Sequence, residues 1–305
     1  MLYTDTTSNE SLTQFKCGGL VLACRSNHCL FDGIASHEFQ ANLAALTRSE
    51  GLIINPNPDR MIFRARNPPK ISYPHLEYSE ITHLSSIFSG QGMPSQKIKQ
   101  PQLGTTCLIH LSPERMVRMK AEAVKDGPLV NCTAFHILAA KIWKARAIAI
   151  SLPDDRISTL LFPVDVRKRV TPHAPPGFSG NALVPGFARA SAHELKTCQQ
   201  SVLVKKVHEG LQRLDDEYVR SGIDWLETHK GVPCMVDSFS VVAWWKLGLE
   251  TACFGWGQVK CLTPVEVAPE LVFLLPGEKD EGGIHVCLQL PSEQMKEFYK
   301  LIMED

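Results

Sequence analysis

The chain has 305 residues, 44% apolar and 21% charged, with 32 basic side chains matched by 32 acidic ones. That material supports a sizeable core and about two domains, and the charge balance argues against a nucleic-acid partner, which draws on concentrated positive charge. The ten cysteines include no Cys-x-x-Cys pair, no apolar run reaches the ~18 residues of a membrane span, and residues 1–10 lack a signal-peptide pattern. The expectation is a cytoplasmic protein with reduced thiols.

In chain order, residues 20–24 form a short apolar run behind two glycines and read as a buried strand. Ile34, Phe39, Leu43 and Leu46 then fall at helical spacing. Asp32 and Gly33 stand just ahead, where a carboxylate suits the orphan N–H groups of a helix start. Residues 55–102 are rich in proline and read as a long irregular connection between two domains. Beyond it, strands are predicted over 106–111, 159–166, 239–246, 270–275 and 283–290. Helices are predicted over 113–124, 132–149 and 292–303, with one long amphipathic helix over 192–219. Mixed strands and helices imply an α/β class.

Three constellations could carry chemistry. His28 lies in the turn between the first strand and helix, and imidazole is suited to take a proton near neutral pH. Asp32 follows four residues later, a spacing that also fits a helix cap beside an ordinary turn histidine. Phe254-Gly-Trp-Gly257 follows Trp244 and Trp245; two glycines about a tryptophan suit a tight backbone path or simply a structural turn. Asp165 and Arg167 end a strand ahead of Pro172, Pro175, Pro176, Gly177 and the run Gly180, Asn181, Ala182, where an ion pair is the plain reading. A zinc-protease helix, a nucleophile elbow and a dinucleotide loop each fail on a missing residue, and Cys24, His28 and Cys29 fit no common metal site.

In their order along the chain, these segments resemble the BAHD acyl-CoA-dependent acyltransferases. His28-Cys-Leu-Phe-Asp-Gly33 looks like that family's H-x-x-x-D-G motif. Phe254-Gly-Trp-Gly257 matches the last four residues of D-F-G-W-G, and residues 164–182 resemble V-D-x-R…G-N-A. The resemblance implies two chloramphenicol-acetyltransferase-like α/β domains with mixed sheets and flanking helices. Residues 1–54 would be the remnant of the N-terminal domain, 55–104 the crossover loop and 105–305 the C-terminal domain. About 253–278 would cross to the N-terminal sheet. It implies acyl transfer from acyl-CoA, as co-substrate and not as a bound cofactor, to an acceptor hydroxyl by a monomeric enzyme without a metal. His28 would be the general base and the Trp244 indole an oxyanion donor. Asp32, Gly33, Arg167, Cys253, Gly255, Trp256 and Gly257 would be architectural. Asn67-Pro-Pro-Lys-Ile71, residues 216–224 and Asn27 are most similar to enzymes joining hydroxycinnamoyl groups to ω-hydroxy fatty acids or fatty alcohols.

Three departures stand beside the resemblance. Only 27 residues precede His28, far fewer than the family carries, so sheet edges and apolar faces of the first domain are expected to be exposed. Cys253 replaces the aspartate of D-F-G-W-G; with Arg167 as that aspartate's expected partner, the arginine would lose its counter-charge. Val242 and Ala243 stand where Thr-Ser commonly precedes the motif tryptophan, and Gln258 and Val259 lack the usual proline. Two function classes follow: an acyltransferase, or a non-catalytic remnant that binds CoA or a partner.

Overall fold

The computed structural model describes residues 9–80, 104–125 and 132–304. A hairpin of β1 (Asn9–Gln14) and β2 (Leu20–Arg25) leads into α1 (Gly33–Thr47). The connection that follows carries one 3-10 turn at Met61–Phe63 and β3 (Tyr78–Glu80), which pairs antiparallel with β7 (Gly231–Pro233). The rest of that connection, residues 81–103, lies outside the described residues.

The second part is built on a six-stranded mixed sheet. In chain order its strands are β4 (Thr105–Leu111), β5 (Ile157–Asp165), β6 (Leu183–Ser191), β8 (Ser238–Ala243), β11 (Leu271–Pro276) and β12 (Ile284–Leu290). Their spatial order is β4-β12-β11-β8-β5-β6, with β8 parallel to β5 and β11 and the other pairs antiparallel. Strand alternation divides β11 between two faces. Val272 and Leu274 join the main core, whereas Phe273 and Leu275 form a smaller cluster with Val267, Cys287 and the half-buried Trp244.

The main core lies under α2 (Pro113–Val124), α3 (Ala134–Ala149), α5 (Gln200–Gln212) and α7 (Ser292–Met303). Trp143, Phe162, Leu203 and Phe298 are among its fully buried members. Alanines along α3 let it sink almost completely: Ala139, Ala140, Ala145 and Ala147 are all buried. Among the described residues, no helix is long and apolar enough to cross a membrane.

Several expectations need correction. The predicted helix over 192–219 is three helices: α4 (Ala192–Thr197), α5 and α6 (Asp216–His229). Cys198 and Gln199 adopt extended backbone, and the Asp215 carboxylate accepts from Tyr218 N at 2.8 Å, capping α6 anew. Strand β6 was not expected, because Pro185 and Gly186 interrupt its pattern; at the sheet edge, proline is tolerated. Strand β8 stops at Ala243, and Trp244–Lys246 turn off as a 3-10 helix. Strand β2 is half exposed rather than buried, because β1 is its only strand partner among the described residues.

Candidate functional site

The site begins at the turn before α1. Asn27 builds it: its Oδ1 accepts from Cys29 N at 3.0 Å and its carbonyl accepts from Leu30 N at 3.0 Å. This lifts His28 to the surface. Asp32 then caps the helix, with Oδ1 accepting from Ile34 N at 3.1 Å and Ala35 N at 3.0 Å. Gly33 follows because a Cβ there would stand 2.8 Å from Leu247 Cδ1, on the turn after Trp244. The HxxxDG turn and the Trp244 segment thus touch across the molecule.

The loop 165–182 holds that turn from the other side. Arg167 grips Asp32 through two 2.9 Å hydrogen bonds and bonds Asp165 at 2.9 Å. Ala182 N donates to Asp32 Oδ2 at 2.8 Å. Burial favours the neutral carboxyl of Asp32. The Arg167 hydrogen bonds, the Ala182 and Ala35 amides and the cation's charge outweigh it, holding the group below the usual carboxylate range. With both oxygens committed, Asp32 makes no His–Asp dyad with His28.

Asn181 is the partner of His28, a role the sequence reading did not assign. Its Nδ2 donates to the His28 carbonyl at 2.7 Å, and its Oδ1 faces His28 Nδ1 at 3.1 Å. The carbonyl can only accept, so the amide oxygen must face the ring, and that oxygen can only accept from Nδ1–H. The neutral imidazole is therefore the Nδ1–H tautomer, with the lone pair on Nε2. Nε2 makes no hydrogen bond to the described residues. The available signal was the asparagine between Gly180 and Ala182, but nothing in its spacing points to a histidine 153 residues away.

Trp244 packs edge-on against Phe273, with ring centroids 4.8 Å apart, on the sheet face away from the helices. Its indole N–H makes no hydrogen bond to the described residues. The Phe254-to-Gly257 motif goes elsewhere. It forms a hairpin of β9 (Cys253–Phe254) and β10 (Gly257–Gln258) against the C-terminal end of α1. Gly255 N donates to Thr47 Oγ1 at 2.8 Å, and a Cβ on Gly255 would stand 2.4 Å from Thr47 O. Trp256 stacks on Phe254 at 5.0 Å, and Gly257 has φ +130°. A 15-residue helix spans ~22 Å, so this motif braces the end of α1 remote from His28.

The expectation for Cys253 is overturned. Arg167 has kept its counter-charges in Asp32 and Asp165. The cation beside Cys253 is Arg48, which donates to the Cys253 carbonyl and pairs with Glu50. Within the segment predicted to cross, β11 belongs to the six-stranded sheet, whereas Ala252, Phe254 and Val259 pack with Ala44 of α1. Among the described residues, no three His, Cys, Asp or Glu side chains gather as metal ligands.

With this geometry in view, a family model described as the Transferase family matches residues 11–304. The chain belongs to the BAHD acyltransferase family. It is 34% identical to omega-hydroxypalmitate O-feruloyl transferase of Arabidopsis thaliana, over 96% of this chain and 63% of that enzyme. It is 32% identical to acyltransferase GLAUCE of Arabidopsis thaliana, over 94% of this chain and 64% of that protein. The chain therefore spans somewhat less than two thirds of these BAHD relatives. Among solved structures, F. sporotrichioides TRI101 complexed with coenzyme A and T-2 superposes with a TM-score of 0.77 at 16% identity, covering 98% of this chain and 68% of that one. Vinorine synthase superposes with a TM-score of 0.69 at 19% identity, covering 95% and 63%. Both likenesses establish the mixed α/β fold.

Proposed function

We propose that this protein transfers an acyl group from acyl-CoA to an acceptor hydroxyl, with His28 as the general base. The observation that carries the reading is the His28–Asn181 exchange, which leaves a lone pair on Nε2 at an exposed turn. Nε2 takes the proton of the acceptor hydroxyl as its oxygen attacks the thioester carbonyl carbon. The oxyanion so formed needs a donor aimed at it, and the indole N–H of Trp244 is assigned that role. Collapse expels the CoA thiolate, which recovers the proton from Nε2 and leaves as the thiol beside the new ester. Asp32 and Arg167 hold the turn without touching the reacting atoms.

A hydroxycinnamoyl donor and a fatty alcohol or ω-hydroxy fatty acid acceptor are the substrates we assign. Relatives named omega-hydroxypalmitate O-feruloyl transferase and fatty alcohol:caffeoyl-CoA acyltransferase, 34% and 33% identical to this chain, support that class. In this reading residues 1–54 belong to the N-terminal domain, 55–104 are the crossover and 105–305 form the C-terminal domain. The protein acts as a cytoplasmic monomer, which size-exclusion chromatography with light scattering checks. The functional test is turnover of feruloyl-CoA with a long-chain alcohol, repeated with His28→Ala. Turnover that survives the substitution would remove His28 from the chemistry.

One set of observations favours a second reading, a chain that binds CoA or a partner without turnover. Leu12 and Val21 on the hairpin and Phe39 and Leu46 on α1 are exposed apolar side chains, the kind of surface another segment covers. CoA binding by a folded chain that yields no ester would select it.

A further inference from the structure

The guanidinium of Arg60 lies against both of the turns that carry His28 and Asn181, although Arg60 belongs to neither motif. Its Nη2 donates to the Leu30 carbonyl at 2.7 Å and its Nη1 to the Cys29 carbonyl at 3.5 Å, the two residues directly after His28. On its other side, Nε lies 3.2 Å from where a Cβ on Gly180 would stand, so the turn leading into Asn181 rests against the same group. A Cβ at Gly180 would also stand 2.9 Å from Phe178 Cζ, so the glycine admits both the Phe178 ring and the guanidinium.

The backbone carrying Arg60 is itself pinned. Asn57 N donates to Gly177 O at 2.7 Å and Ser179 N donates to Asn57 O at 2.7 Å, tying this stretch to the loop before Asn181. Asp59 accepts from Met61 N at 2.9 Å and fixes the 3-10 turn that Arg60 begins. Among the described residues Arg60 makes no ion pair, and its two hydrogen bonds both go to the turn that carries His28. Planar, rigid and always charged, a guanidinium can hold two carbonyls at a fixed spacing, which a flexible ammonium does poorly.

We infer that Arg60 is a positioning residue: it sets the register between the His28 turn and the Asn181 turn, and so maintains the Nδ1–H tautomer on which the base depends. This inference rests on the acyl-transfer reading for its kinetic consequence, but not for its structural one. Relaxing the two turns lets the imidazole swing and sample the other tautomer, in which Nε2 carries a proton and is no base.

The experiment uses the full chain with Arg60→Met and Arg60→Lys. Imidazole 15N shifts, with the His28 signals identified by their loss in His28→Gln, report the tautomer without any turnover. One Nδ1–H form is expected in the wild type, a mixture in Arg60→Met and an intermediate state in Arg60→Lys. In the acyl-transfer assay, Arg60→Met should lower kcat roughly 10- to 100-fold while KM for acyl-CoA moves little, with partial recovery in Arg60→Lys or on adding guanidinium ion. An unchanged tautomer and an unchanged kcat in Arg60→Met would overturn the inference. If Arg60→Met fails to fold, Arg60→Lys decides: wild-type tautomer purity together with wild-type kcat overturns it equally. A wild-type chain without turnover defeats the acyl-transfer reading alone, because the 15N measurement still decides the role of Arg60.

Discussion

Replacing Asp32 tests the joint that holds the candidate site together. Its carboxylate is almost wholly buried and accepts from two helix amides, from Ala182 N and twice from Arg167. Asp32→Ala removes an N-cap, worth about 1 kcal/mol. It also strands the Arg167 cation, and breaking a buried pair costs about 3 to 5 kcal/mol. Arg167 retains Asp165, which is 35% exposed and so a screened partner. A net loss of about 3 kcal/mol follows, or a fall in Tm of roughly 6 to 12 °C at 2 to 4 °C per kcal/mol. Asp32→Asn keeps an oxygen for the helix amides and should lose less, about 2 kcal/mol.

The pH dependence has a definite sign. The folded state holds Asp32 below its ordinary value of 3.8. Its contribution is therefore complete above that pH and is lost as the pH falls through the lower folded value. The wild-type minus Asp32→Asn difference in stability, from urea unfolding at stepped pH, should shrink below about pH 4. A loss under about 1 kcal/mol for Asp32→Ala at neutral pH, or a difference that grows on acidification, would refute the argument.

Four other substitutions probe separate features. Asn181→Ala frees the tautomer of His28 and should lower kcat roughly 10- to 100-fold with little change in Tm, read by steady-state kinetics beside a melting curve. Gly255→Ala places a methyl 2.4 Å from the Thr47 carbonyl oxygen, and the backbone shift should cost about 1 to 3 kcal/mol in chemical denaturation. Cys253→Asp should move stability by less than about 1 kcal/mol, since Cys253 is exposed and Arg48 already has Glu50; a larger gain would mean that the cysteine leaves a cation unpaired. His136 is pushed down to about 4, by burial first and then by His208 and Lys246, so the fold should lose stability between pH 6.5 and 4. His136→Gln keeps an acceptor at the capping position where Nδ1 takes Thr133 N at 3.1 Å. It should flatten that stretch of the stability-against-pH curve, and an unchanged slope would exclude His136 as its source.

Much of the fold was legible because its signals are local. The cap by Asp32, the start of α2 at Pro113 and the short apolar run of β11 each depend on residues a few positions apart. The break of 192–219 into three helices was hidden by continuous amphipathic periodicity; Asp215 capping Tyr218 was its local clue. The site was half legible. The order of His28, Arg167, Trp244 and Phe254-to-Gly257 along the chain pointed to the family, and every one of those residues sits at a structural junction.

By itself, then, the sequence determined where α1 begins and that strands and helices combine in a mixed α/β fold, and it singled out the turn that carries His28. Only the tertiary structure decided the partners. Arg167 lies 135 residues from Asp32 and 86 from Cys253 in the chain, and it pairs with the more distant of the two. Asn181 meets His28 across 153 residues, and the Phe254-to-Gly257 hairpin braces the far end of α1 instead of joining the turn at its start. Sequence spacing governs contacts within about one helical turn. Which carboxylate reaches which cation is fixed by how the loops after β5 and β8 leave the sheet, and that follows from strand order and packing.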